Sequence, residues 1–160
     1  MEQNILKVQK MSNTFPEEMM LKLFEGCSPD IYKKGQMIYR TDEILTDVFW
    51  LSEGQAEVYV STEDGQKQIL AFHYPHSIVG EVESLYGHPC GLNCSTTKKS
   101  TLRKCNVELF LERIQKFGLM RQYLALLAGK THSSVVHLAN LVLNDCQSRI
   151  QAFYNSELTH

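Results

Sequence analysis

Between Met120 and Asp145 the chain keeps a seven-residue rhythm without a break. Met120, Leu124, Leu127, Thr131, Ser134, Leu138, Leu141 and Asp145 follow one another in alternating steps of four and three. That spacing holds one stripe of a helix against a parallel partner helix. From Leu119 to Asp145 such a helix would run for roughly 40 Å at about 1.5 Å per residue, too long to be merely a cap on a small domain. A second stripe, Ala128, Val135, Ala139 and Val142, is expected to cover the chain's own domain while the first meets a second copy. The alternative is an ordinary amphipathic helix packed on its own domain. Thr131 and Ser134 are polar at consecutive seam positions, where such residues set register at a cost in stability or line a spot that a ligand reaches.

Upstream the texture is different. From Ile31 to about Val107, short runs rich in β-branched and aromatic residues (Met37–Tyr39, Val48–Leu51, Ala56–Val60, Gln68–Phe72) alternate with Gly35, Asp42-Glu43, Glu53-Gly54 and Asp64-Gly65. Asp64-Gly65 between two such runs is a hairpin signal, because the turn needs positive φ. Several short strands at near-regular spacing predict an antiparallel roll or jelly roll, mainly β with flanking helices. Before it, residues 1–12 read as a loose arm. Ser12 to Glu18 read as a helix start with Pro16 in the first turn, and Met19, Met20, Leu23 and Phe24 follow at helical spacing until Gly26. Leu109, Phe110, Ile114 and Phe117 predict a short helix that breaks near Gly118.

Charge narrows the function. The 160 residues carry a formal net charge of −2, with 43% hydrophobic and 21% charged residues. A domain that grips nucleic acid alone is usually basic, so no DNA-contact surface is expected in this chain. No apolar run is long enough for a bilayer and the N-terminus lacks a signal-peptide layout; the expectation is a cytoplasmic protein with no membrane partner. The five cysteines, Cys27, Cys90, Cys94, Cys105 and Cys146, are odd in number and irregularly spaced, which fits reduced thiols.

Order and spacing together carry a resemblance over about residues 25–154. Lys34-Gly35-Gln36, Tyr39-Arg40, Val48-Phe49-Trp50-Leu51, Glu53-Gly54-Gln55-Ala56, Asp64-Gly65-Gln66-Lys67, Ile78-Val79-Gly80-Glu81 and Arg149–Phe153 follow one another here in a sequence that resembles the sensor portion of the CRP/FNR transcription regulators. The resemblance implies an effector-binding β-roll with flanking helices over 1–118 and a coiled-coil dimerisation helix over 119–148. It implies the start of a DNA-binding domain over 149–160, cut short of its winged helix-turn-helix. The partners it implies are a second copy, through Met120, Leu124, Leu127, Thr131, Leu138 and Leu141, and DNA only through a domain absent from this chain. It implies no catalysis.

In that family, backbone N–H groups after the Gly-Glu turn and an arginine on the next strand hold a cyclic phosphate, while the glutamate accepts from the ribose. The resemblance puts Gly80 and Glu81 at the turn. Asn93 stands roughly in the arginine's place, beside Cys94 and Ser95, and His76 stands where a glycine is usual. An amide cannot supply the charged, bidentate fork that a buried phosphate needs. The expected effector site is therefore Gly80, Glu81, Asn93, Cys94, Ser95 and Ser134, taking an unidentified small molecule and not cyclic AMP. No resident cofactor or metal is expected. His88-Pro89-Cys90 with Cys94 is a looser metal or thiol-switch candidate lacking a standard spacing, and Cys27 alone does not make an iron–sulfur set. His73, His76 and His88 are the available haem ligands, read as structural or solvated. Two other classes stay open: a ligand-free dimer scaffold or partner-binding module, and a cupin-like metal enzyme, which would need histidines that converge and has no His-x-His pair to start from.

Overall fold

The computed structural model describes residues 15–157 and, within them, every side chain except those at 137, 141, 144, 145 and from 149 onward. The expected arm at 1–12, the cap residues Ser12 to Thr14, and the side chains of Leu141 and Asp145 lie outside that description. Helix α1 (Glu17–Leu23) is followed by β1 (Pro29–Tyr32), β2 (Met37–Tyr39), β3 (Asp47–Glu53), β4 (Ala56–Ser61), β5 (Lys67–His73) and β6 (Ser77–Val79). Then come α2 (Glu81–Tyr86), β7 (Asn93–Thr96), β8 (Ser100–Asn106), α3 (Val107–Lys116) and α4 (Met120–Glu157). The strands form two four-stranded sheets, ordered β1-β8-β3-β6 and β2-β7-β4-β5, with antiparallel neighbours throughout. This is the expected roll.

The first sheet separates two cores, because strand residues alternate between faces. Phe49, Leu51, Val79 and Leu102 point inward and meet Tyr39, Ala56, Val58 and Cys94 of the second sheet. Val48, Trp50, Ile78 and Cys105 point outward and are covered by the helices. There the rings of Trp50, Phe24, Phe110 and Tyr123 form a chain with centroids 5.9, 5.6 and 5.4 Å apart. Burying an aromatic of this kind stabilises the fold by roughly 1.5–3 kcal/mol.

Local chemistry explains the turns and caps. Gly54 sits at φ +100°, and a Cβ there would lie 2.1 Å from Ser100 Oγ and 2.5 Å from Ser100 Cα. Only glycine lets β3 turn into β4 against β8. Pro16 stands at the N-cap of α1 rather than inside its first turn, and Glu17 and Glu18 fall at the positive end of the helix as expected. Asn106 caps α3, its side chain accepting from the Glu108 N–H.

The long helix is present and runs without interruption from Met120 to Glu157, 38 residues. It touches the outer core through Leu119 before it and through Tyr123, Leu126 and Leu127. The stripe expected to cover the roll does not do so. Ala128 and Ala139 are exposed, and Val135 and Val142 are 59% and 62% exposed. The helix meets the roll over its first turns and then runs past it, so the covering face is Tyr123, Leu126, Leu127 and Lys130.

Candidate effector site

The Gly-Glu turn is built by β6, which pairs with β3 through Phe49↔Val79, Trp50↔Ile78 and Leu51↔Ser77. Just before it, His76 takes a φ of +70°, the left-handed conformation that a glycine adopts without strain; its N–H is held by the Leu51 carbonyl at 2.7 Å. Gly80 then turns at φ +80°, where a Cβ would lie 2.7 Å from Leu45 Cδ2. Glu81 follows as the first residue of α2 and is 4% exposed.

A buried carboxylate needs a partner, and this one finds it on the long helix. Lys130 donates to the Glu81 carboxylate and, at 3.0 Å, to the Ile78 carbonyl. One ammonium thus closes the turn from both sides. Tyr123 lies two helical turns before Lys130, on the same face, and its buried hydroxyl has no hydrogen-bond partner among the described residues. Burial and the Lys130 charge together push His73 down to about 3, so its imidazole is neutral. Glu83, two residues after Glu81, accepts from the Tyr39 hydroxyl at 3.3 Å. Burial, and less strongly the Glu81 charge, hold Glu83 above the usual carboxylate range.

The expected strand residues divide. Cys94 is fully buried inside the roll opposite Tyr39, and burial, then Glu83, raise its thiol well above the ordinary range. Asn93 and Ser95 lie on the other face of β7 by strand alternation. The Asn93 side-chain oxygen accepts from the Thr41 N–H at 3.0 Å, so it braces the 40–43 turn. Ser95 is buried opposite Met37 and Glu57. Ser134 is exposed, its hydroxyl donating to the Lys130 carbonyl at 3.0 Å, and Thr131 donates likewise to Leu127. Gly80, Glu81 and Cys94 therefore share one neighbourhood with Tyr39, Glu83 and Lys130, while Asn93, Ser95 and Ser134 do not enter it.

Of the expected seam, Met120, Leu124 and Leu138 are exposed at 38%, 56% and 60%, and Leu127 is half-buried against the outer core. Sequence reasoning missed Lys130, Tyr39, Glu83 and Tyr123. Lys130 carries a signal in the sequence: a lone lysine amid Leu126, Leu127, Val135 and Val136 needs an acid, and the Gly80-Glu81 pair offers one. Among the described residues no three His, Cys, Asp or Glu side chains gather as metal ligands. Within them, no helix is long and apolar enough to cross a membrane.

Known proteins place this arrangement in context. Residues 29–117 match the family described as the cyclic nucleotide-binding domain. The chain is similar to the catabolite activator protein of Thermus thermophilus, with 19% identity and a TM-score of 0.67 over 82% of this chain and 62% of that one. It is similar to FixK2 of Bradyrhizobium japonicum, with 26% identity and a TM-score of 0.60 over 70% and 56%. It is also similar to the sensor domain of the transcriptional regulator DNR of Pseudomonas aeruginosa, with 19% identity and a TM-score of 0.61 over 84% and 91%. The chain spans less than two thirds of the first two and nearly all of the isolated sensor domain. No curated protein sequence matches it. The match across β1 to α3, the two-sheet roll and its Gly80–Glu81 turn agree, and the chain belongs to the cyclic nucleotide-binding domain family, with the fold of the CRP/FNR-type regulators.

Proposed function

We propose that this chain is the sensing and dimerisation portion of a cytoplasmic CRP/FNR-type transcription regulator. The observation that carries the reading is the contact of Lys130 with Glu81 and Ile78. It joins the effector turn of the roll to the helix that would meet a second copy. An effector that competes for this turn changes the helix contact directly, a shift between two packings. Residues 1–118 form the effector unit in this reading, 119–148 the dimerisation helix, and 149–160 the approach to a DNA-binding domain. The exposed Leu124, Val135, Leu138 and Val142 support a partner helix, since apolar residues at helical spacing are costly to leave in water.

The effector is a small molecule other than cyclic AMP. Asn93 is engaged with Thr41, and an amide does not supply the charged, bidentate fork that a buried phosphate needs. Isothermal titration with cyclic AMP and cyclic GMP tests this. No binding at micromolar concentration is expected, and micromolar binding of cyclic AMP would overturn the reading of Asn93.

A ligand-free scaffold is favoured by one specific observation: Glu81 is already satisfied within the chain. A thermal-shift survey of small metabolites separates the two readings. A compound that stabilises the protein but not Glu81→Gln supports sensing, and the scaffold reading expects none.

A further inference from the structure

The outer face of the roll carries a second group of reactive side chains, away from the effector turn. Strand β1 pairs with β8 in the register Pro29↔Arg103 and Asp30↔Leu102. Continued two residues beyond Pro29, that antiparallel register sets Cys27 directly opposite Cys105. Directly opposed residues in such a pair have Cα atoms about 4.5–5.5 Å apart, inside the roughly 4.4–6.8 Å that a disulfide spans.

Two arginines hold the pair in place. Arg103 Nη1 donates to the Cys27 carbonyl at 2.7 Å, fixing the segment before β1 on β8. Arg113 of α3 donates from Nη1 to the Leu23 carbonyl at 2.7 Å and from Nη2 to the Glu25 carbonyl at 2.8 Å. The same Nη1 lies 4.0 Å from Cys105 Sγ. Cys105 is buried in the outer core, and Cys27 packs against that core while keeping partial exposure. Burial first, and then the Cys27 thiol beside it, raise Cys105 well above the ordinary thiol range. The two sulfurs thus have unequal roles: Cys27 meets solvent and Cys105 waits behind it.

We propose that Cys27 and Cys105 form a reversible intramolecular disulfide when the protein meets a hydroperoxide. The Cys27 thiolate attacks the peroxide and cleaves its O–O bond, leaving a sulfenic acid and, for hydrogen peroxide, one water after proton uptake. The Cys105 sulfur then attacks the Cys27 sulfur. The S–OH bond breaks, and the departing hydroxide leaves as a second water with the Cys105 proton. In balance, two thiols and one hydrogen peroxide give one disulfide and two waters. Cys90 and Cys94 are buried within the roll and Cys146 lies on the long helix, so neither the effector turn nor the helix seam takes part.

The test treats the full chain with stoichiometric hydrogen peroxide, blocks free thiols, and maps non-reduced peptides by mass spectrometry. The expected result is a peptide joining Cys27 to Cys105, the loss of two free thiols per chain, and recovery of both with dithiothreitol. Cys27→Ser, whose site is partly exposed and tolerates the hydroxyl, should keep the fold by circular dichroism and lose the crosslink. Over-oxidation of Cys27 to sulfinic acid with Cys105 still free, a crosslink between Cys90 and Cys94, or retention of all thiols would overturn the proposal.

Discussion

Lys130, on the long helix, donates to the carboxylate of Glu81, 49 positions earlier at the start of α2. The acid is 5% exposed in its side chain and the lysine 23%, so their attraction is little screened. Removing one partner of such a pair strands a charge, whereas removing both can be close to neutral.

Lys130→Met is therefore expected to cost about 3 kcal/mol, and the double variant Lys130→Met with Glu81→Leu clearly less. Urea unfolding at one fixed protein concentration measures both. A double variant as unstable as the sum of the two single ones would mean that the residues do not depend on each other.

His73 makes stability depend on acidity. Its folded pKa is about 3 against an ordinary 6.5, so between those values the unfolded chain binds a proton that the folded chain does not. Stability from this group is present above about pH 6.5 and lost as pH falls toward 3, by up to about 1.4 kcal/mol per pH unit. Glu83, held high, acts in the opposite direction over its own range. His73→Gln should flatten the acid limb of melting temperature against pH; an unchanged slope would remove His73 as its source.

Two leucines of the heptad should respond differently to charge. Leu127 is half-buried against the outer core, so Leu127→Glu is expected to lower stability by about 2–4 kcal/mol. Leu138 is 60% exposed in the single chain, so Leu138→Glu should leave the roll folded and abolish self-association. Sedimentation equilibrium beside circular dichroism reads both, and a Leu138→Glu protein that still dimerises would move the interface elsewhere.

Glycines with similar φ should not be equivalent. At Gly54 a Cβ would collide with the Ser100 backbone, while at Gly65 it would meet open space. Gly65→Ala carries only the left-handed strain, about 1 kcal/mol, and Gly54→Ala should cost several times that in chemical unfolding. Equal losses would show that β8 yields at Ser100.

The roll was legible because its information is local. Asp64-Gly65 lies between strands that pair Ser61↔Lys67, and alternation along Val48 to Leu51 does assign residues to two faces. What stayed hidden was the loop chemistry: Thr62 closes that hairpin by accepting from the Gln66 N–H at 3.0 Å. The site was legible on one side only. Gly80 and Glu81 announce a turn, but nothing near them in sequence points to Lys130. Asn93 stands near the arginine's place in the sequence, and position in the sequence does not reveal that its side-chain oxygen is bound to the Thr41 N–H. The helical period holds along α4, yet period does not say where a neighbouring domain ends, and the stripe through Val135 and Val142 lies where the helix has already left the roll.

Lys130 gives the last polar contact between helix and roll among the described residues, and α4 continues from it to Glu157. In the sensing reading proposed above, that stretch is a lever about 40 Å long at about 1.5 Å per residue, with its fulcrum at the Gly80–Glu81 turn. A pivot of about 5° there would carry the far end by roughly 3–4 Å, by the same arithmetic. Rearranging a single ammonium could in this way become a displacement comparable to the distance between neighbouring residues along a chain.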